Sequence, residues 1–174
     1  MLEKYNKYNV LKVFLDSPTE SFRLREISRL TKISPPSVMN YLKELEKEGL
    51  IKKQEKKGIP FYNSMRDNNK FILFKKISIF FELNKIGLVE HLWEKLSPDA
   101  IVLYGSYAKG ESIENSDIDI FILGKENKIN LEQFENKLNK KIHLIFRKLF
   151  GDLPKELRNN ILNGIILKGY VKVF

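Results

Sequence analysis

Residues 100–123, AIVLYGSYAKGESIENSDIDIFIL, constrain the fold of this chain more than any other stretch. The apolar run Ile101-Val102-Leu103-Tyr104 halts at Gly105-Ser106, and a second run, Asp117-Ile118-Asp119-Ile120-Phe121-Ile122-Leu123, begins after a polar dozen. Both runs read as short buried strands. Side chains alternate across a strand, so Asp117 and Asp119 share one face while Ile118 and Ile120 share the buried one. Two carboxylates side by side at the edge of a core are the usual seat of a hard divalent cation. Gly105 permits a turn that a Cβ would obstruct, and Ser106 opens a short helix expected over residues 107–109. Free N–H groups at a helix start favour phosphate. The stretch therefore reads as a phosphate cradle facing a metal site.

The spacing Gly105-Ser106, Gly110 and Ser116-Asp117-x-Asp119 resembles the minimal nucleotidyltransferase domain of the DNA polymerase beta superfamily. The resemblance covers residues 97–174 and implies a small mixed-sheet fold. It implies that Asp117 and Asp119 are catalytic and hold one or two Mg²⁺ (or Mn²⁺). Gly105, Ser106, Lys109, Gly110 and Ser116 would bind a nucleoside triphosphate. The implied reaction is in-line attack on the α-phosphorus with release of pyrophosphate, which depends on positioning and charge neutralisation. The family usually carries a third carboxylate on the next strand. Here that strand is expected over residues 141–146, with His143 in the acid's place. Imidazole suits Mn²⁺ or Zn²⁺ better than Mg²⁺, and it can serve as a general base near neutral pH. The alternative for His143 is a partly buried histidine that only packs.

The front of the chain has a different character. Of the net charge of +9, +6 falls in residues 1–66, with 14 Lys/Arg against 8 Asp/Glu. A basic N-terminal unit suggests a polyanionic partner. Residues 2–15 have a helical apolar stripe at Val10, Leu11, Phe14 and Leu15, and residues 22–24 suit a very short strand. A second helix is expected over residues 24–31, burying Leu24, Ile27 and Leu30. A third begins at Ser34-Pro35-Pro36, with Ser34 as its cap, and ends at Gly49. It turns Val38, Leu42 and Leu45 inward and leaves Ser37, Asn40, Tyr41, Glu44 and Lys47 outward. Strands over 50–54 and 60–65 flank the basic tip Glu55-Lys56-Lys57-Gly58.

This order, with the run VMNYLKELEKEGLI, resembles the prokaryotic winged helix-turn-helix regulators. The resemblance implies duplex DNA as partner. Ser37, Asn40, Tyr41, Lys43 and Lys47 would lie along the major groove, and Lys52, Lys53, Lys56 and Lys57 would hold the backbone through the wing. The acids of the third helix oppose that reading near phosphates, although Glu44 suits a cytosine amine. The alternative is a winged helix used for protein contacts alone.

Residues 67–96 form a helical linker. KFILFKKISIFFELNK is apolar nearly all round, so either both domains pack on it or it pairs with its copy in a homodimer. His91 and Trp93 read as packing residues. The chain has no cysteine, which excludes disulfides and thiolate metal sites. Its first residues lack a signal peptide's apolar core and no uncharged run approaches bilayer length, so a cytoplasmic protein is expected.

The expected fold class is a two-domain α+β or α/β chain: a winged helix-turn-helix (1–66), a helical linker (67–96) and a nucleotidyltransferase-like domain (97–174). Two functions follow. One is a DNA-binding, metal-dependent nucleotidyltransferase, antitoxin-like in that short stand-alone members of the family often modify a toxin partner. The other is a transcription regulator whose second domain binds nucleotide without turnover.

Overall fold

The computed structural model describes residues 5–172, and the chain divides into two compact units, residues 1–75 and 76–174. The first unit runs α1 (Asn6–Asp16), β1 (Ser21–Phe22), α2 (Leu24–Thr31), α3 (Pro35–Lys47), β2 (Ile51–Lys56) and β3 (Ile59–Ser64). The expected start of the first helix at Leu2 lies outside the described residues. The apolar stripe of α1 packs with Ile27, Val38, Leu42, Leu45, Leu50, Ile51 and Tyr62 into one core, where Phe14 meets Phe22 edge-on at 5.5 Å.

Local chemistry sets the ends of these elements. Pro35 and Pro36 occupy the first turn of α3, where a missing N–H costs nothing. Ser34 takes the N-cap position, but its side chain bonds no backbone N–H there: its hydroxyl donates to Ser37 Oγ at 3.0 Å. At the other end Gly49 adopts φ +72°, Leu50 N–H donates to Leu45 O and Gly49 N–H to Glu46 O, which closes a Schellman motif and aims the chain into β2. The wing is an antiparallel hairpin turning on Lys57 (φ +54°) and Gly58 (φ +75°), a two-residue turn tighter than the sequence suggests. β1 completes the sheet in the order β1-β3-β2. On α2 only Ile27 is fully buried; Leu30 is 63 % exposed, against expectation. Residues six apart on a helix stand 120° apart, so Leu24 and Leu30 cannot share a narrow stripe.

The division between units falls within α4 (Asn69–Lys85). Phe71 is buried in the core of the first unit, whereas Ile79 and Leu83 belong to a core of the second.

The second unit continues with α5 (Leu88–Leu96), β4 (Ala100–Tyr104), α6 (Gly105–Lys109), β5 (Ile118–Leu123), α7 (Glu132–Leu138), β6 (Ile142–Arg147), a 3-10 turn (Phe150–Asp152), α8 (Lys155–Leu162) and β7 (Ile165–Gly169). The sheet is mixed, in the order β6-β5-β4-β7: β4 is antiparallel to β5 and β7, while β5 and β6 are parallel. Parallel pairing needs a crossover, which α7 supplies. One face packs Ile101, Leu103, Ile118, Ile120 and Ile122 with residues of α5, α6 and α7. The other packs Ala100, Val102, Tyr104, Phe121 and Leu123 with Phe150, Leu153 and Ile161. Covered on both faces, β4 is buried along its whole length, which is why it appears as an unbroken apolar run. Among the described residues, no helix is long and apolar enough to cross a membrane.

Candidate active site and DNA-contact surface

Strand register assembles the second unit's polar cluster. Tyr104 on β4 pairs with Asp119 on β5, and Asp119 pairs with His143 on β6, so the three stand in one row across the sheet. Asp117 precedes β5 by one residue and lies on the same side by alternation. The His143 imidazole spans both acids, with Nε2 3.7 Å from Asp117 Oδ2 and Nδ1 3.9 Å from Asp119 Oδ1, too far for hydrogen bonds. Glu135 of α7 fixes the start of that strand by accepting from Ile142 N–H at 3.0 Å and Lys141 Nζ at 3.2 Å. Those two contacts, the Ile142 amide first, hold the Glu135 carboxyl below the usual range.

Gly105 has a more specific task than permitting a turn. Its φ is +71°, and a Cβ built on it would sit 2.4 Å from Asp119 Oδ2. The carboxylate of Asp119 therefore rests against bare backbone. Burial raises the Asp119 carboxyl above its ordinary range; His143 pulls it back and Asp117 pushes it further up. Tyr104, 8 % exposed, is pushed up to about 12, by burial first and the Asp119 charge second.

The other sequence candidates distribute differently. Ser106 follows Gly105 in the half-buried first turn of α6; Lys109 is exposed at its end, and Gly110 (φ +77°) is its C-cap. The hydroxyl of Ser116 accepts from Ile113 N–H at 2.8 Å, so it braces the turn before the acids. Among the described residues, no group of three or more His, Asp or Glu side chains is arranged to hold a metal ion. Two carboxylates nevertheless fit Mg²⁺ or Mn²⁺ where a triphosphate supplies further oxygens, because Mg²⁺ is commonly bound by one or two carboxylates plus substrate phosphates.

In the first unit the solvent face of α3 carries Asn40, Lys43 and Lys47, all exposed, and Ser37 is half-buried. Tyr41 packs partly against the core and is less available than its spacing suggests. The wing lysines Lys52, Lys53, Lys56 and Lys57 are exposed, and Lys53 Nζ lies 3.6 Å from Glu55 Oε1. The troublesome acids of α3 are largely engaged. Lys7 Nζ of α1 contacts Glu44 Oε2 at 2.8 Å and Glu48 Oε1 at 2.6 Å, Lys70 Nζ adds a second contact to Glu48 at 3.0 Å, and Glu46 accepts from Lys53 N–H at 3.1 Å. Lys7 thus ties Glu44 to α1. Three exposed arginines on or beside α2, Arg23, Arg25 and Arg29, stand outside the sequence candidates.

Residues 86–168 match the model of the nucleotidyltransferase domain family, and residues 23–52 match that of the winged helix-turn-helix DNA-binding domain. The chain joins a winged helix-turn-helix to a nucleotidyltransferase domain. The nucleotidyltransferase match contains the Gly105 turn, both acids and His143; the winged-helix match contains all of α2 and α3 and the start of β2. No curated protein matches the chain. Among solved structures, one described as "Crystal structure of the toxin-antitoxin with AMP-PNP" is similar at 24 % identity, over 51 % of this chain and 75 % of that one, with a TM-score of 0.40.

Proposed function

We propose that this chain binds duplex DNA through its winged helix and transfers a nucleoside monophosphate from a nucleoside triphosphate to an acceptor hydroxyl through its nucleotidyltransferase domain. The observation that carries the catalytic half is the meeting of Asp117 and Asp119 with the bare backbone of Gly105 at one end of a buried sheet. Asp117 and Asp119 would hold Mg²⁺ or Mn²⁺, which when bound supplies charge neutralisation to the triphosphate. Gly105, Ser106, Lys109 and Gly110 supply the turn beside which the phosphates lie, and Ser116 keeps the loop before the acids in place. His143 accepts the proton of the attacking hydroxyl as its oxygen bonds to the α-phosphorus and the bond to pyrophosphate breaks. Its 62 % side-chain exposure lets that proton pass to water.

Resemblance to short stand-alone nucleotidyltransferases makes a hydroxyl of a toxin protein the first acceptor to test. DNA binding by Asn40, Lys43, Lys47 and the wing lysines would let the chain regulate its own operon, with Ser37 and Tyr41 at the margin of that surface. A homodimer in the cytoplasm belongs to the same reading. Ile77 and Phe80, on the part of α4 within the second unit, are 44 % and 40 % exposed, an apolar patch that supports pairing with a second copy.

A second reading, a regulator that binds nucleotide without turnover, is favoured by one feature: an imidazole stands where a third carboxylate is usual. Incubating the full chain with each labelled triphosphate and Mg²⁺ or Mn²⁺ separates the two. Pyrophosphate release that D117N abolishes supports the enzyme. Metal-dependent nucleotide binding with no release, whatever the acceptor or metal, supports the regulator.

A further inference from the structure

β1 pairs Ser21 with Asn63 and Phe22 with Tyr62, and this register carries the next residue, Arg23, up to Phe61 of the wing. The Arg23 guanidinium carbon lies 4.8 Å from the centre of the Phe61 ring. Lys56, at the tip of the neighbouring strand, places its Nζ 5.7 Å from the same ring. Two exposed cations thus converge on one aromatic platform, which fixes long side chains that would otherwise be mobile. Beside them Arg23, Arg25, Ser28, Arg29 and Pro35 line a groove of about 550 Å³ between α2 and the first turn of α3. Glu26 also lines it, and its Oε2 accepts from Arg23 N–H at 2.7 Å, so that carboxylate is bound to the start of α2.

We propose that Arg23 and Lys56, held by Phe61, form a phosphate clamp that the groove arginines Arg25 and Arg29 extend, so that one strand of a DNA duplex runs from the start of α2 to the wing. The inference rests on the DNA-binding reading above and deepens it. Guanidinium groups pair with phosphate oxygens in two-pronged fashion, and their positions here owe nothing to base identity. The clamp therefore contributes affinity and orientation without sequence preference. Planar arginine heads also lose less freedom than unsupported lysines when they bind.

Fluorescence anisotropy of the full chain with a labelled duplex, at salt concentrations from about 50 to 300 mM, tests the clamp by the slope of log K against log[salt]. R23Q and K56Q should each make that slope shallower by about 0.9, the share of one phosphate contact. R25Q and R29Q should act in the same direction. F61L, which keeps both charges, should weaken binding several-fold at low salt, with melting temperatures tracked for every variant. A wild-type chain that binds no duplex overturns the clamp together with the DNA reading. A wild-type chain that binds with a steep slope, unchanged in R23Q and K56Q, overturns the clamp and leaves the DNA reading standing.

Discussion

At Asp119 the stability of the fold and the proposed function oppose each other. Its carboxyl is held above the ordinary range by burial, so between the ordinary and the raised value the folded chain keeps a proton that the unfolded chain has released. Stability then falls as pH rises through that window, and above it the ionised group remains a cost. D119N removes the charge and keeps the shape. It should abolish metal-dependent nucleotide binding by calorimetry, yet leave the fold more stable at neutral pH by about 0.5 kcal/mol, with the acidic slope in thermal melts reduced. A D119N chain less stable than wild type at pH 7 would mean that the carboxylate makes favourable contacts in the fold. Gly105 is the complementary case. G105A places a Cβ 2.4 Å from Asp119 Oδ2 on a backbone with φ +71°. It should cost about 1–3 kcal/mol of stability in urea unfolding and also displace the carboxylate. Nucleotide binding should therefore be lost even in the population that remains folded. The glycine and the acids are legible in the sequence because spacing alone pairs them. That the glycine serves the carboxylate is not, because thirteen residues separate Gly105 from Asp119 and only antiparallel pairing of β4 with β5 closes the gap.

Between elements, the contact of α1 with α3 shows how a basic module carries acids without losing its charge pattern. Glu48 is held below its usual range, by Lys7 first and Lys70 second, and Lys7 is held above its own by Glu44 first and Glu48 second. A lowered carboxyl contributes stability that is present above its unfolded value, about 4.3, and is lost as pH falls below it. A raised amine contributes stability that is present below about 10.4 and is lost as pH rises beyond it. The network is therefore complete across the neutral range. Its side chains are about a third exposed or more, so solvent screening keeps its worth small. K7M should destabilise the first unit by about 0.5–1 kcal/mol at pH 7, and by less at pH 3, below the unfolded value of Glu48, where the stability held by its lowered carboxyl is being lost. Equal losses at both pH values in denaturant titrations would assign the effect to packing of the lysine stem. α3 is legible because its signals are local: two prolines in its first turn, an apolar stripe and a glycine stop. The partner of Glu44 is not, since Lys7 lies 37 residues away and becomes its neighbour only when α1 packs across α3. Leu30 fails because it stands 120° round α2 from Leu24, which packs against the core beside Ile27.

For the whole molecule, the two sets of candidate residues fall in different units, each with its own core: the wing and α3 in residues 1–75, the acids, His143 and the Gly105 turn in residues 76–174. The broad division is legible from composition, since the positive excess is concentrated in the front third, whereas the buried strands with their acids come later. The place of the division is not. α4 is one unbroken helix whose first turns bury Phe71 in one core and whose later turns bury Leu83 in another, so nothing in its sequence marks a break. Because each site is built inside one unit, lesions should separate. F121A, at a fully buried position on β5, removes a large side chain from the face of the second unit's sheet that packs against Phe150, Leu153 and Ile161, and should cost about 3–5 kcal/mol there. It should abolish nucleotide binding while the winged helix still grips duplex DNA with wild-type salt dependence at low temperature. L42A, buried at the heart of the first core, should do the reverse. Anisotropy for DNA and calorimetry for nucleotide, run on the same two variants, read the four outcomes directly. Loss of both activities from either single substitution would show that the units do not fold independently and that α4 transmits collapse of one core to the other.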